Sequence, residues 1–231
     1  MALAADLGDR IAARLMSMKA GTTRLSSEYP VCGYGPELLS EQPFIGYCEA
    51  FLTGFECEYL IAASESAMRD SLVLDAKTGL QSPSECRVSE SKFWRPETMD
   101  IVLFSIFQRA ADAAGSPLSL AEPLSVVRYR PGGKFLAHLD AFPNPKTLEM
   151  DGTVRQSTTI LYLNEGYTGG ETAFLKPKLK VRGGVGDLLH FRNLAADGTI
   201  DEQALHAGMP VLDGEKWVAV LWMQRGSAPS L

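Results

Sequence analysis

From Leu124 onward the hydrophobic positions come in short runs, 124–130, 134–140, 157–163, 172–175, 187–192, 204–212 and 216–223, separated by Gly, Pro and Asp. Apolar runs of this length between turn residues predict strands, and several at this spacing predict a barrel or jelly roll. The first half is patterned differently. Leu3, Leu7, Ile11, Leu15 and Met18 recur at helical spacing, which predicts an amphipathic helix with a stripe to pack on the domain. Residues 20–43 have no periodicity and read as a connecting segment. Phe44–Leu52 is compatible with a strand, and Thr53 with Glu56 has the spacing of a capping box before a helix running through about Ala63. Pro96 near the start and Gly115 just past the end frame another helix. Residues 76–92 are polar and Ser-rich and read as a loop.

Helices first and strands second predict an α+β protein, a double-stranded β-helix (jelly-roll) core with the N-terminal helices packed on one face. The expected organisation is an N-terminal helix and connecting segment over 1–43 and one globular domain over 44–231.

Composition narrows the partners. Hydrophobic residues at 45% and charged residues at 22% of 231 sustain an ordinary core. The net charge of −6 and the lack of a basic stripe argue against a nucleic-acid partner. No apolar run is long enough for a membrane span, and Asp6, Asp9, Arg10 and Arg14 interrupt the one stretch that resembles a signal peptide. The cysteines at 32, 48, 57 and 86 form no C-x-x-C pair and stand beside no histidine, so neither a zinc site nor a disulfide framework is expected. Cys48 and Cys57 read as small buried residues, and the expected compartment is the cytoplasm.

Chemistry concentrates in "GGKFLAHLDAF", residues 132–142, where His138 and Asp140 sit two apart in an apolar strand. Residues i and i+2 of a strand share a face. Alone, the pair reads as an orienting hydrogen bond. With a second histidine it becomes two imidazoles and one carboxylate, the set that marks non-haem Fe(II) oxygenases. His190 and His206 compete for that position. His190, in "GVGDLLHF", reads as a half-buried histidine satisfied by a neighbour. His206 opens "HAGMPVLDGEKWVAVLWMQ", which reads as a hairpin turning near Asp213 and Gly214. Lys216 starts its apolar second strand, where a cation is costly unless it meets an anion. A two-residue turn places His206 and Lys216 on opposite faces. A three-residue loop or a bulge puts His206, Lys216, Val218, Val220 and Trp222 on one face, and that register is expected.

The segments "EPLSVVRYRPGGKFLAHLDAF", "TTILYLNEGYTGGETAF", "GGVGDLLHF" and "HAGMPVLDGEKWVAVLWM" occur in the order of the prolyl 4-hydroxylases, Fe(II)- and 2-oxoglutarate-dependent dioxygenases. "EAFLTGFECEYLIAASES" and "CRVSESKFW" resemble the upstream part of that family, so the resemblance covers about 44–225. It implies Fe(II) held by His138, Asp140 and His206, and 2-oxoglutarate paired through its distal carboxylate with Lys216. Tyr129 is implied as a cosubstrate contact, Trp222 as an aromatic near the metal, and Arg87 and Ser89 as parts of a substrate loop. The implied reaction uses O2 to hydroxylate a prolyl residue in a peptide or protein, with decarboxylation of 2-oxoglutarate to succinate and CO2. A free amino acid or other small metabolite is the alternative substrate, and a non-catalytic β-barrel binding or sensing module the alternative class. His190 stands where the family usually has an apolar or aromatic residue.

Overall fold

The computed structural model describes residues 37–74, 81–141 and 154–225, all within the compact unit Tyr34–Leu231. The helix expected over 3–18 lies outside them. An eight-stranded antiparallel sheet runs in the order β1 (Glu37–Ser40), β2 (Ile45–Cys48), β14 (Leu188–Arg192), β10 (Arg155–Tyr162), β17 (Lys216–Gln224), β8 (Leu124–Tyr129), β7 (Glu90–Trp94) and β3 (Arg69–Asp70). A five-stranded sheet runs β13 (Leu179–Val181), β12 (Thr172–Phe174), β15 (His206–Gly208), β9 (Lys134–His138) and β6 (Arg87–Val88). Two small ribbons, β11 (Thr168–Gly169) with β16 (Val211–Asp213) and β4 (Val73–Leu74) with β5 (Gln81–Ser82), complete the strands among the described residues.

The sheets meet in one core. Val127, Ile160, Leu189, Phe191 and Val218 of the larger sheet pack with Phe174 and Val181 of the smaller and with Val211. The non-consecutive strand orders are those of a double-stranded β-helix, as the sequence predicts. Strand β17 explains why its sequence is apolar throughout. It lies between β10 and β8 and is buried on both faces, so period-2 alternation is lost.

Two helices cover the larger sheet. Helix α1 (Gly54–Glu65) begins with the expected capping box, Glu56 N–H donating to Thr53 Oγ1 at 3.2 Å and Thr53 N–H to Glu56 Oε2 at 2.8 Å. An N-cap of this kind contributes about 1 kcal/mol. Helix α2 (Ile101–Ala113) starts on Asp100, whose Oδ1 accepts from Val102 and Leu103 N–H. Pro96 instead opens a short 3-10 turn, Pro96–Thr98. Gly115 follows α2 at φ +63°, the left-handed conformation that glycine adopts most readily. Helix α1 packs on β8 and α2 on β17, and Arg109 of α2 pairs with the buried Glu56 of α1 at 2.5 Å.

Several expectations change. Strand β1 lies within the segment read as a connection and pairs with β2. The Ser-rich stretch read as a loop contains β6 and the start of β7, a full member of the larger sheet. The hairpin joining His206 to Lys216 is absent: β15 pairs with β12 and β9, β16 with β11, and β17 with β10 and β8. Cys57 and Cys86 are free, whereas Cys48 is disulfide-bonded and not a free buried thiol. Among the described residues no helix is long and apolar enough to cross a membrane.

Candidate active site

Strand β9 ends on His138, with Asp140 two residues further on, and β15 begins on His206, directly opposite His138 in the ladder. Antiparallel pairing thus brings together two histidines that lie far apart in sequence. Their ring centroids are 4.4 Å apart. Asp140 Oδ1 lies 3.5 Å from His138 Nε2, and Oδ2 lies 3.7 Å from His206 Nε2. One ligand atom from each of the three residues falls within 4.8 Å of the others.

The backbone sets the tautomers. His138 Nδ1 lies 2.8 Å from the Leu136 carbonyl and His206 Nδ1 lies 2.9 Å from the Ala204 carbonyl. A carbonyl only accepts, so Nδ1 carries the proton and Nε2 keeps its lone pair facing Asp140. Burial pushes the His206 imidazole down to about 4, against the pull of Asp140, so it is neutral at pH 7. Burial opposes ionisation of Asp140, but the charge that His206 and His138 carry in their imidazolium forms outweighs it and holds the carboxyl well below the usual range. Thr158 Oγ1 donates to Asp140 Oδ2 at 2.7 Å. Phe135 stacks on the His138 ring at 3.6 Å and Phe191 meets His206 edge-on at 4.8 Å. Two Nε2 lone pairs and one carboxylate beside an open pocket are the donor set that non-haem Fe(II) takes, so these residues fit that metal.

The same pocket, about 500 Å3 counting space open to solvent, reaches Lys216. Lys216 is 4% exposed, and its Nζ donates to the Gly170 carbonyl at 2.7 Å. It lies 5.6 Å from the ring centroids of both Tyr129 and Tyr162. Burial pushes the ammonium down to about 8, with Glu171 opposing. Gly170 has φ +71°, and a Cβ there would come within 3.3 Å of the Lys216 side chain. A larger residue at 170 would crowd the lysine and strain the backbone.

The structure places Tyr129, Trp222 and Arg87 on this pocket with the triad and Lys216. Lys216, Val218, Val220 and Trp222 share its wall because alternate residues of β17 face one way, although the expected hairpin does not form. Ser89 lies outside the pocket and accepts from Arg87 Nε at 3.3 Å. Arg87 stacks over Phe135 at 4.9 Å, the ring that itself stacks on His138.

His190 sits elsewhere. In β10, Thr158 and Thr159 point to opposite faces; Thr158 lines the pocket, and Thr159 pairs with His190. Thr159 Oγ1 is 3.0 Å from His190 Nδ1, and Phe44 packs edge-on at 6.1 Å. Burial pushes this imidazole down to about 4. Between pH 6.5 and 4 the unfolded chain therefore binds a proton that the folded His190 refuses. Its stabilising contribution is present above pH 6.5 and is lost as pH falls through that window, by about 1.4 kcal/mol per unit. Urea unfolding at pH 7 and 5 is expected to give a smaller difference for His190→Leu than for the original chain.

Four contributors were not read from the sequence. Thr158 and Thr172 offer hydroxyls to the pocket, and Ile160 adds apolar wall. Arg155 stacks over Trp222 at 4.0 Å and is gripped by Glu122 through two bonds of 2.7 Å. Only period-2 alternation along "RQSTTILY", which puts Thr158 and Ile160 on one face, could have found any of these.

Residues 124–224 match the family model of the 2OG-Fe(II) oxygenase superfamily. The chain is 33% identical over 209 residues to "Probable prolyl 4-hydroxylase 3" of Arabidopsis thaliana, covering 82% of this chain and 72% of that protein. It is 32% identical over 204 residues to Prolyl 4-hydroxylase 1 of the same plant, with the same coverages. Among solved structures, the viral collagen prolyl hydroxylase of Paramecium Bursaria Chlorella virus-1, as its 2OG complex, aligns with a TM-score of 0.60 at 26% identity, covering 79% of this chain and 96% of that one. The chain belongs to the prolyl 4-hydroxylase family of Fe(II)- and 2-oxoglutarate-dependent dioxygenases.

Proposed function

We propose that this protein hydroxylates prolyl residues in a peptide or protein, with His138, Asp140 and His206 holding Fe(II) and Lys216 holding 2-oxoglutarate. The observation that carries the reading is that a two-histidine, one-carboxylate cluster and a buried lysine line one pocket. Iron bound there supplies the activation of O2 that couples decarboxylation of 2-oxoglutarate to hydroxylation of a substrate C–H bond. The chain's own residues bind, orient and exclude water. Neutral His206 offers its lone pair without first losing a proton. Lys216 gives the distal carboxylate a charge-assisted partner in a dry site, where such a contact is strong. Ile160, Val218 and Val220 line the pocket with carbon. At its border, Trp222 presents an aromatic ring held by Arg155.

A peptide is favoured over a free amino acid because a second cleft adjoins the pocket at Arg87, which lines both. That cleft, lined also by Asp70, Pro83, Ser84, Glu85, Val88 and Ser89, offers room for chain beyond a proline held at the metal site. Incubation with Fe(II), 2-oxoglutarate and proline-containing peptides is expected to release succinate and to give a peptide heavier by one oxygen. Turnover of free amino acids without turnover of any peptide would establish the small-metabolite alternative. Metal binding with no turnover of either would favour the binding module.

Lys216 gives the reaction a pH signature. An ammonium titrating near 8 loses its charge above that pH in the free protein, while a bound carboxylate stabilises the charged form. Binding is therefore coupled to proton uptake, and affinity for 2-oxoglutarate falls up to tenfold per unit as pH rises above about 8. Isothermal titration at pH 7, 8 and 9 checks the sign; affinity that rises with pH would remove Lys216 from the role, and flat affinity would place its titration above pH 9.

A further inference from the structure

We infer that Asn193 is a positioning residue for the metal site, acting through Thr158 on Asp140; the inference rests on the metal-site reading above. Asn193 follows β14 and is 2% exposed. Its backbone is tied on both sides, N–H donating to the Gln156 carbonyl at 2.9 Å and its own carbonyl accepting from Asp201 N–H at 2.9 Å. Its Nδ2 lies 3.0 Å from Thr158 Oγ1, and that oxygen lies 2.7 Å from Asp140 Oδ2.

Counting protons sets the direction of this chain of bonds. A threonine hydroxyl has one hydrogen to give, and a ligating carboxylate can only accept. Thr158 therefore donates to Asp140, and its oxygen must accept from Asn193. Asn193 can meet that demand only through its NH2 end. The other end is left over: Asn193 Oδ1 is buried with no hydrogen-bond partner. Native interiors rarely keep such orphans, and an apolar side chain of the same size would not create one. The amide is accounted for by what its other end does. It holds the Thr158 hydroxyl in the rotamer that fixes the rotation of the Asp140 carboxylate, whose two oxygens face His138 and His206.

Titration of the full-length apoprotein with Co(II) alone, followed by visible ligand-field absorption, tests this without relying on turnover. Asn193→Leu and Thr158→Val are each expected to weaken Co(II) binding by about tenfold, the low end of the cost of losing a partner of a metal ligand. Thr158→Ser, which keeps the hydroxyl, should bind as the original chain does. In the Thr158→Val background Asn193→Leu should add nothing, because there is no hydroxyl left to hold. Asn193→Ala substitutes for the leucine variant if that one does not fold. Unchanged Co(II) affinity in the Asn193 variants, or an equal loss with and without the Thr158 hydroxyl, overturns the inference while leaving the metal site intact. Absence of Co(II) binding by the original chain overturns both.

Discussion

Replacing His206 by alanine is expected to weaken Fe(II) binding by more than about 100-fold and to bring succinate release to background. Substituting the outer partners of metal ligands costs 10- to 100-fold, and His206 is a ligand in this reading, so its loss should exceed that range. The residue is 5% exposed, with Nδ1 bound to a backbone carbonyl and Nε2 facing Asp140. Alanine leaves one imidazole and one carboxylate beside a cavity, with no neighbouring histidine able to swing in. His190 cannot substitute, because it faces the other side of the sheet. Anaerobic Fe(II) titration of His206→Ala and His190→Ala separates the two. Iron binding lost in His190→Ala and kept in His206→Ala would reverse the ligand assignment.

Lys216→Met is expected to weaken 2-oxoglutarate binding by roughly 30-fold to several thousandfold while leaving Fe(II) affinity unchanged. Truncating one member of a buried, hydrogen-bonded charge pair costs about 2–5 kcal/mol, and each 1.4 kcal/mol is a factor of ten. Methionine keeps most of the length and fits beside Tyr129 and Tyr162, so the loss reports charge more than shape. The two ends of the pocket should respond separately because Lys216 contacts none of the three metal-site residues through a hydrogen bond or ion pair among the described residues. KM for 2-oxoglutarate and Fe(II) affinity, measured on the same preparation, decide it. A parallel fall in both would mean that the substitution damages the fold.

Much of this site was legible in the sequence because strand parity is a strong rule. Lys216, Val218, Val220 and Trp222 share a face for that reason alone, while Asp140 lies just past the end of β9 and meets His138 through the bend that follows. Pairing was less legible. A hairpin was the short-range solution for 206–223, but β15 found β9 and β12, and β17 found β10 and β8, through contacts that no local pattern encodes. The strand β7 was hidden for a related reason. Its residues "ESKFW" look solvated in isolation, yet Glu90 is neutralised by Arg128 across the ladder at 2.8 Å. Polarity in sequence marks a loop only when no partner strand supplies the counter-charge. Thr158 escaped notice because a threonine in a β-rich run is ordinary; only the position of Asp140 in space gives its hydroxyl a purpose.

The two ends of the pocket belong to different sheets. Both histidines come from the smaller sheet, Lys216 from the larger, and Phe174, Phe191, Val181 and Val218 fill the space between. Facing sheets stand about 10 Å apart, a spacing set by the bulk of the side chains they enclose. If Lys216 and the triad hold the cosubstrate and metal as proposed, the core would work as a ruler, its hydrocarbon thickness setting which dicarboxylate can touch both. On the proposed assignment, selectivity between a five-carbon keto acid and its shorter or longer homologues would be a packing property, written in residues away from the cosubstrate's charges.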